Sequence, residues 1–172
     1  MDLPDRIEKQ VVLRAPIERV WASIADAQAF GRWFGAKLDQ PFTPGQIVTG
    51  TFDRRFDEAQ LAGHQRSLGL APAPIRQPPP HQVFCTVERM EPPRRFGFRW
   101  IPYGIDAAVE PATEPTTLVE FELEPVAEGT RLTITESGFE RVPAHRRERA
   151  FRMNDSGWAA QAEALQQHVE RA

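Results

Sequence analysis

Two titratable side chains interrupt segments that otherwise read as apolar strands. Glu136 closes the alternating run from Thr130 to Glu136, and Arg99 lies between Phe98 and Trp100. A charged group turned into a protein interior needs a partner or a ligand of opposite charge. An inward carboxyl could also serve as acid or base in a cyclase or hydro-lyase type of reaction. Period-two alternation places Arg99 on the face opposite Phe98 and Trp100, so it is expected to point outward. Arg54 and Arg55 stand near a strand end, where they could meet an anion. No catalytic residue is assigned on this evidence.

The other reactive residue types are poorly spaced for chemistry. His64, His81, His145 and His168 do not pair at metal-ligand spacing, and no His-Glu-x-x-His, paired cysteines or calcium loop occurs. Cys85 is flanked on its strand by Val83 and Val87, a setting for a small buried hydrophobe rather than a nucleophile. The glycines of Gly31-Arg-Trp-Phe-Gly35 match neither a phosphate-binding loop nor a dinucleotide fingerprint. No metal, nucleotide or other cofactor is expected.

Aromatic residues are the remaining handle. Trp21, Trp33, Trp100 and Trp158 all fall on predicted inward or helix-face positions. They are either plain core or, for Trp100 and Trp158 with Phe52, Phe84, Phe98 and Phe121, the walls of a pocket. An empty apolar void costs on the order of 24 cal/mol per Å3, so a dry pocket of roughly 300 Å3 would cost about 7 kcal/mol. That approaches a domain's whole stability. Either a ligand occupies such a space or the rings collapse into it.

These residues need elements to position them. Ile7 to Leu13 reads as a first strand. Ile17, Val20, Trp21 and Ile24 then form a helical stripe beginning at Pro16 and ended by Asp26, followed by a short second helix at Phe30, Trp33 and Phe34. Strands are predicted at Gln46 to Phe56, Gln82 to Met90, Arg95 to Trp100, Thr117 to Glu124 and Thr130 to Glu136. Ala127-Glu128-Gly129 joins the last two as a hairpin. The stretch 57–81 carries Pro72, Pro74, Pro78, Pro79 and Pro80 and reads as a long excursion or lid, with a helical turn or two between Leu61 and Leu70. Trp158, Ala162, Leu165 and Val169 mark one face of a closing helix from about Asp155 to Glu170. Arg146-Arg147-Glu148-Arg149, just before it, reads as a solvated face, with a partner-docking patch as the rival reading. An antiparallel sheet with one long helix to cover it makes an α+β fold in which the sheet curves around that helix.

Composition narrows the class further. The chain has 172 residues, 41% hydrophobic and 26% charged, with a net charge of −3. One domain over 1–172 is the default at this length. The charge offers no basic stripe for nucleic acid or an anionic membrane. No apolar run reaches the length of a membrane span, and the first residues lack a signal peptide's apolar core. With a single cysteine, a cytoplasmic location is expected.

Four stretches carry a family resemblance: Ala15-Pro16-Ile17-Glu18-Arg19-Val20-Trp21, Phe30-Gly31-Arg32-Trp33-Phe34, Thr130-Arg131-Leu132-Thr133-Ile134-Thr135-Glu136-Ser137-Gly138-Phe139, and Gly157-Trp158. From about Ile7 to Val169 the chain resembles the START-like, or SRPBCC, superfamily, and within it the homologues of the activator of the heat-shock protein 90 ATPase. The resemblance implies the helix-grip (birch-pollen-allergen-like) fold, a curved antiparallel sheet wrapped on a long C-terminal helix with a hydrophobic cavity between. It also implies diverse roles, since members bind lipids, sterols, plant hormones or polyketides and some are cyclases. Eukaryotic activators carry a further N-terminal domain, with no counterpart in this sequence.

The expected function is binding of a small hydrophobic or amphipathic molecule between sheet and helix. Phe52, Phe84, Phe98, Trp100, Phe121, Ile134, Met153, Trp158 and Ala162 are the expected lining, and the 57–81 excursion is the candidate gate. A protein-interaction module with a filled interior, regulating a chaperone or other partner, is the alternative. A cyclase-type enzyme is the third reading.

Overall fold

The computed structural model describes residues 3–52, 55–107 and 109–171; Arg54 lies outside them. Seven strands form one antiparallel sheet: β1 (Arg6–Leu13), β2 (Lys37–Leu38), β3 (Ile47–Thr51), β4 (His81–Glu91), β5 (Arg95–Trp100), β6 (Thr117–Val126) and β7 (Gly129–Ser137). Their order across the sheet is β1-β7-β6-β5-β4-β3-β2. Register shifts at Val48/Thr49 and Val87/Arg89 bend the layer, as bulges do. The helices are α1 (Ile17–Ala25), α2 (Ala27–Phe34), α3 (Glu58–Ser67) and α4 (Ala144–Glu170). This is the helix-grip fold: α1 and α2 follow the first strand, and α4 packs against β1, α1 and α2.

Local chemistry explains the helix boundaries. The backbone N–H of Asp26 closes α1 on the carbonyl of Ala22, while its side chain accepts from the Ala29 N–H at 2.8 Å and opens α2. Gly35 ends α2 with φ of 93°, a conformation that glycine adopts without Cβ strain. Inside α2, Gly31 has no room for a side chain, since a Cβ there would stand 2.2 Å from the Ala36 carbonyl oxygen. Gly31→Ala is therefore expected to destabilise the protein by about 1–3 kcal/mol, read as a lower denaturant midpoint. Gly63→Ala in α3, where the space is open, serves as control and is expected to leave the midpoint unchanged or slightly raised.

Three sequence expectations need correction. The closing helix begins at Ala144, not near Asp155. Its first turns carry little apolar signal, with Ala150 and Phe151 the buried residues there, so periodicity alone does not announce them. The Arg146 to Arg149 cluster is also not a solvated face. Arg147 donates to the carbonyls of Phe139, Glu140 and Val142, Arg149 to that of Ala71, and Arg146 pairs with Glu114 at 2.9 Å. Long arginine stems lie along the protein while their guanidinium groups hold loop carbonyls. Third, β3 stops at Thr51 rather than running on to Phe56.

The excursion contains a longer helix than predicted. Asp57 caps α3 by accepting from the Gln60 N–H at 2.9 Å. Gln65 is buried, donating to the Tyr103 hydroxyl at 3.0 Å and accepting from the Ala73 N–H. Arg152 donates to the Leu68 carbonyl, and His64 meets Ser156 at 3.2 Å. Polar contacts thus seat the excursion on the N-terminal half of α4.

Candidate functional site

The inner face of β7 runs Leu132, Ile134, Glu136, and alternation carries the carboxyl onto the same side as the two aliphatic residues. Ile7 of β1 and Val119 of β6 flank Glu136 in register. The residue is 0% exposed. Four neighbours donate to it. Trp158 Nε1 reaches Oε1 at 2.9 Å, Trp100 Nε1 reaches Oε2 at 2.8 Å, and Thr117 Oγ1 reaches Oε2 at 2.5 Å. Asn154 Nδ2 lies 3.0 and 3.1 Å from the two oxygens.

These donors come from β5, β6 and α4, so one carboxyl ties the helix to the sheet. Indole and amide N–H groups only donate, which leaves the Thr117 hydroxyl as the single neighbour able to accept a proton from Glu136. Burial pushes the carboxyl above its ordinary range, while the hydrogen bonds from Thr117, Trp100, Trp158 and Asn154 pull it back.

Arg99 takes the opposite face, as alternation predicts, and its Nε lies 3.2 Å from Glu88 on β4. Cys85 is buried, and burial pushes its thiol up to about 12, far from a reactive thiolate. No cluster of three or more potential metal ligands forms among the described residues.

Aromatic rings occupy the space between sheet and helices. Phe30 of α2 sits at the centre, with ring centroids of Phe84, Phe98 and Phe121 at 5.7, 6.3 and 6.3 Å. Trp158 of α4 reaches Trp100 at 5.4 Å and Phe121 at 5.9 Å. What remains open is a niche of about 110 Å3 lined by Phe34, Trp100, Asn154, Gly157, Trp158 and Gln161. Three of those side chains are donors to Glu136.

The predicted lining residues therefore divide. Trp100 and Trp158 wall the niche. Phe84, Phe98, Phe121 and Ile134 are buried core. Phe52 is half-buried, its ring tilted 32° to that of Phe84 with centroids 5.7 Å apart; Met153 and Ala162 are half-buried on α4. Phe34, Asn154, Gly157 and Gln161 were not foreseen. The signal for Asn154 was available in its spacing, one turn before Trp158 on the same helix face.

The fold and part of the chain have known relatives. The family described as activator of Hsp90 ATPase homolog 1-like protein matches residues 14–170. The solved structure of protein MLL2253 from Mesorhizobium loti superposes with a TM-score of 0.67 at 20% identity, covering 97% of this chain and 98% of that one. Protein CV1439 from Chromobacterium violaceum gives 0.62 at 20% identity, covering 99% and 100%. DynU16, from the dynemicin biosynthetic locus, gives 0.65 at 22% identity, covering 98% of this chain and 48% of DynU16. At such identities the likeness carries the fold alone. No curated protein matches the sequence.

Proposed function

The chain belongs to the family of activator of Hsp90 ATPase homolog 1-like proteins, and from that premise we propose that it binds one small molecule of about ring size where β5 meets α4. The observation that carries this reading is the tryptophan-walled niche of about 110 Å3 above a buried carboxyl. An enclosed apolar cavity of about 150 Å3 admits benzene; this niche is smaller but opens to solvent, so a compact ligand would seat in it in part. A lipid or sterol needs several hundred Å3 and would have to part rings that already touch.

We further propose that the chain acts as one domain in the cytoplasm, with no described helix long and apolar enough to cross a membrane. A general base must present a lone pair to its substrate. The oxygens of Glu136 already face four donors, which weighs against the cyclase reading. Among the described residues, the exposed large apolar side chains Val12, Ile47 and Val83 lie on β1, β3 and β4, so Val12 is at the far side of the sheet from the other two. They offer little support to the interaction-module alternative.

Titration with a panel of ring-sized amphipathic compounds, followed by tryptophan emission, tests the proposal. A saturable change that is lost in Trp100→Phe is expected. No saturable change at millimolar ligand in the wild-type protein overturns it.

A further inference from the structure

Glu136 is a buried carboxyl with no countercharge. It is fully buried, and no Lys, Arg or His of the described residues forms an ion pair with it. Burial favours its protonated form, while the four neutral donors favour the ionised form without cancelling its charge. Ionised without a countercharge the carboxyl is unfavourable, and a cation held nearby would favour that form.

The niche lies across three of the donors, since Trp100, Asn154 and Trp158 both line it and bond Glu136. Phe34, Trp100 and Trp158 border it, and an aromatic ring attracts a cation that reaches its face. Both of its amide side chains are oriented by their partners. The Nδ2 of Asn154 donates to Glu136, and the Nε2 of Gln161 donates to the Phe34 carbonyl at 3.2 Å. Reversing either amide would set oxygen against oxygen. Their side-chain carbonyl oxygens are therefore the acceptors left to a ligand. No cationic side chain lines the niche.

We infer that the niche is a site for a small organic cation, specifically a methylated quaternary ammonium group, which supplies the countercharge that Glu136 lacks. The inference rests on the small-molecule reading above and names its ligand class. An anion would meet like charge here. A neutral ring would fill the walls without favouring the ionised form of Glu136. A primary ammonium is strongly hydrated and would need three acceptors where two amide oxygens stand. A quaternary ammonium is weakly hydrated and binds ring faces directly.

Calorimetric titration of the wild-type protein with choline and with its uncharged carbon isostere, 3,3-dimethylbutan-1-ol, is the test. Choline is expected to bind at least about tenfold more tightly. Its affinity is expected to fall as pH is lowered and Glu136 protonates, while that of the isostere stays constant. Glu136→Gln should abolish the discrimination. Trp100→Leu, at a partly exposed site, should weaken choline about tenfold if the first variant does not fold. Equal binding of the two compounds overturns the cation inference and leaves the small-molecule reading standing. Binding of neither compound overturns the cation inference, and the broader panel then decides the small-molecule reading separately.

Discussion

Replacing Glu136 with alanine is expected to lower the unfolding free energy by about 3 kcal/mol, measured by denaturant unfolding near neutral pH. The variant leaves two indole N–H groups, one amide and one hydroxyl without their acceptor. Each orphaned buried donor costs about 1–3 kcal/mol. The full sum is not expected. Trp100 and Asn154 border the niche, where water can replace the carboxyl, and the Thr117 hydroxyl can rotate. Trp158, 2% exposed, keeps the driest orphan. Glu136→Gln retains one acceptor oxygen and should lose roughly half as much. A cycle with Trp158→Phe should be strongly non-additive, because both changes remove the same hydrogen bond. Additive losses would show that the carboxyl does not act through the indole.

The same residue sets a pH dependence with an unusual sign. A carboxyl whose folded-state pKa lies above its ordinary value of 4.5 binds its proton more tightly in the folded protein. Its contribution is fully present below the ordinary value and is lost as pH rises through the folded-state pKa. Subtracting the Glu136→Gln stability profile from that of the wild type should expose this fall. A difference that instead grows as pH rises would contradict a raised pKa.

Phe30→Ala is the second large effect, expected at about 3–5 kcal/mol. Phe30 is fully buried at the centre of the aromatic interior, touching rings from α2, β4, β5 and β6. Deleting it removes the transfer free energy of one ring and leaves a void between the helix layer and the sheet. Rings already packed against one another can move little to refill it. Phe30→Leu keeps most of the volume and should lose less than half as much. A loss below about 1 kcal/mol for the alanine variant would mean that the interior is loosely packed.

Alternation and helical spacing are properties of a short stretch of chain, which is why they could be read directly. Val119, Phe121, Leu123, Leu132 and Ile134 face inward as period two requires, and the same count carries Glu136 in and Arg99 out. The helix-grip order follows from strands that must be covered and one long helix available to cover them. The start of α4 escaped because its first three turns are held by arginine-to-carbonyl bonds with residues up to 84 positions away, which leave no periodic trace. The size of the cavity escaped for a related reason. Volume is what remains after rings from α2, β4, β5, β6 and α4 have packed, and no local pattern encodes that remainder. The four donors around Glu136 likewise belong to β5, β6 and α4, and they converge on one carboxyl only when the chain closes on itself.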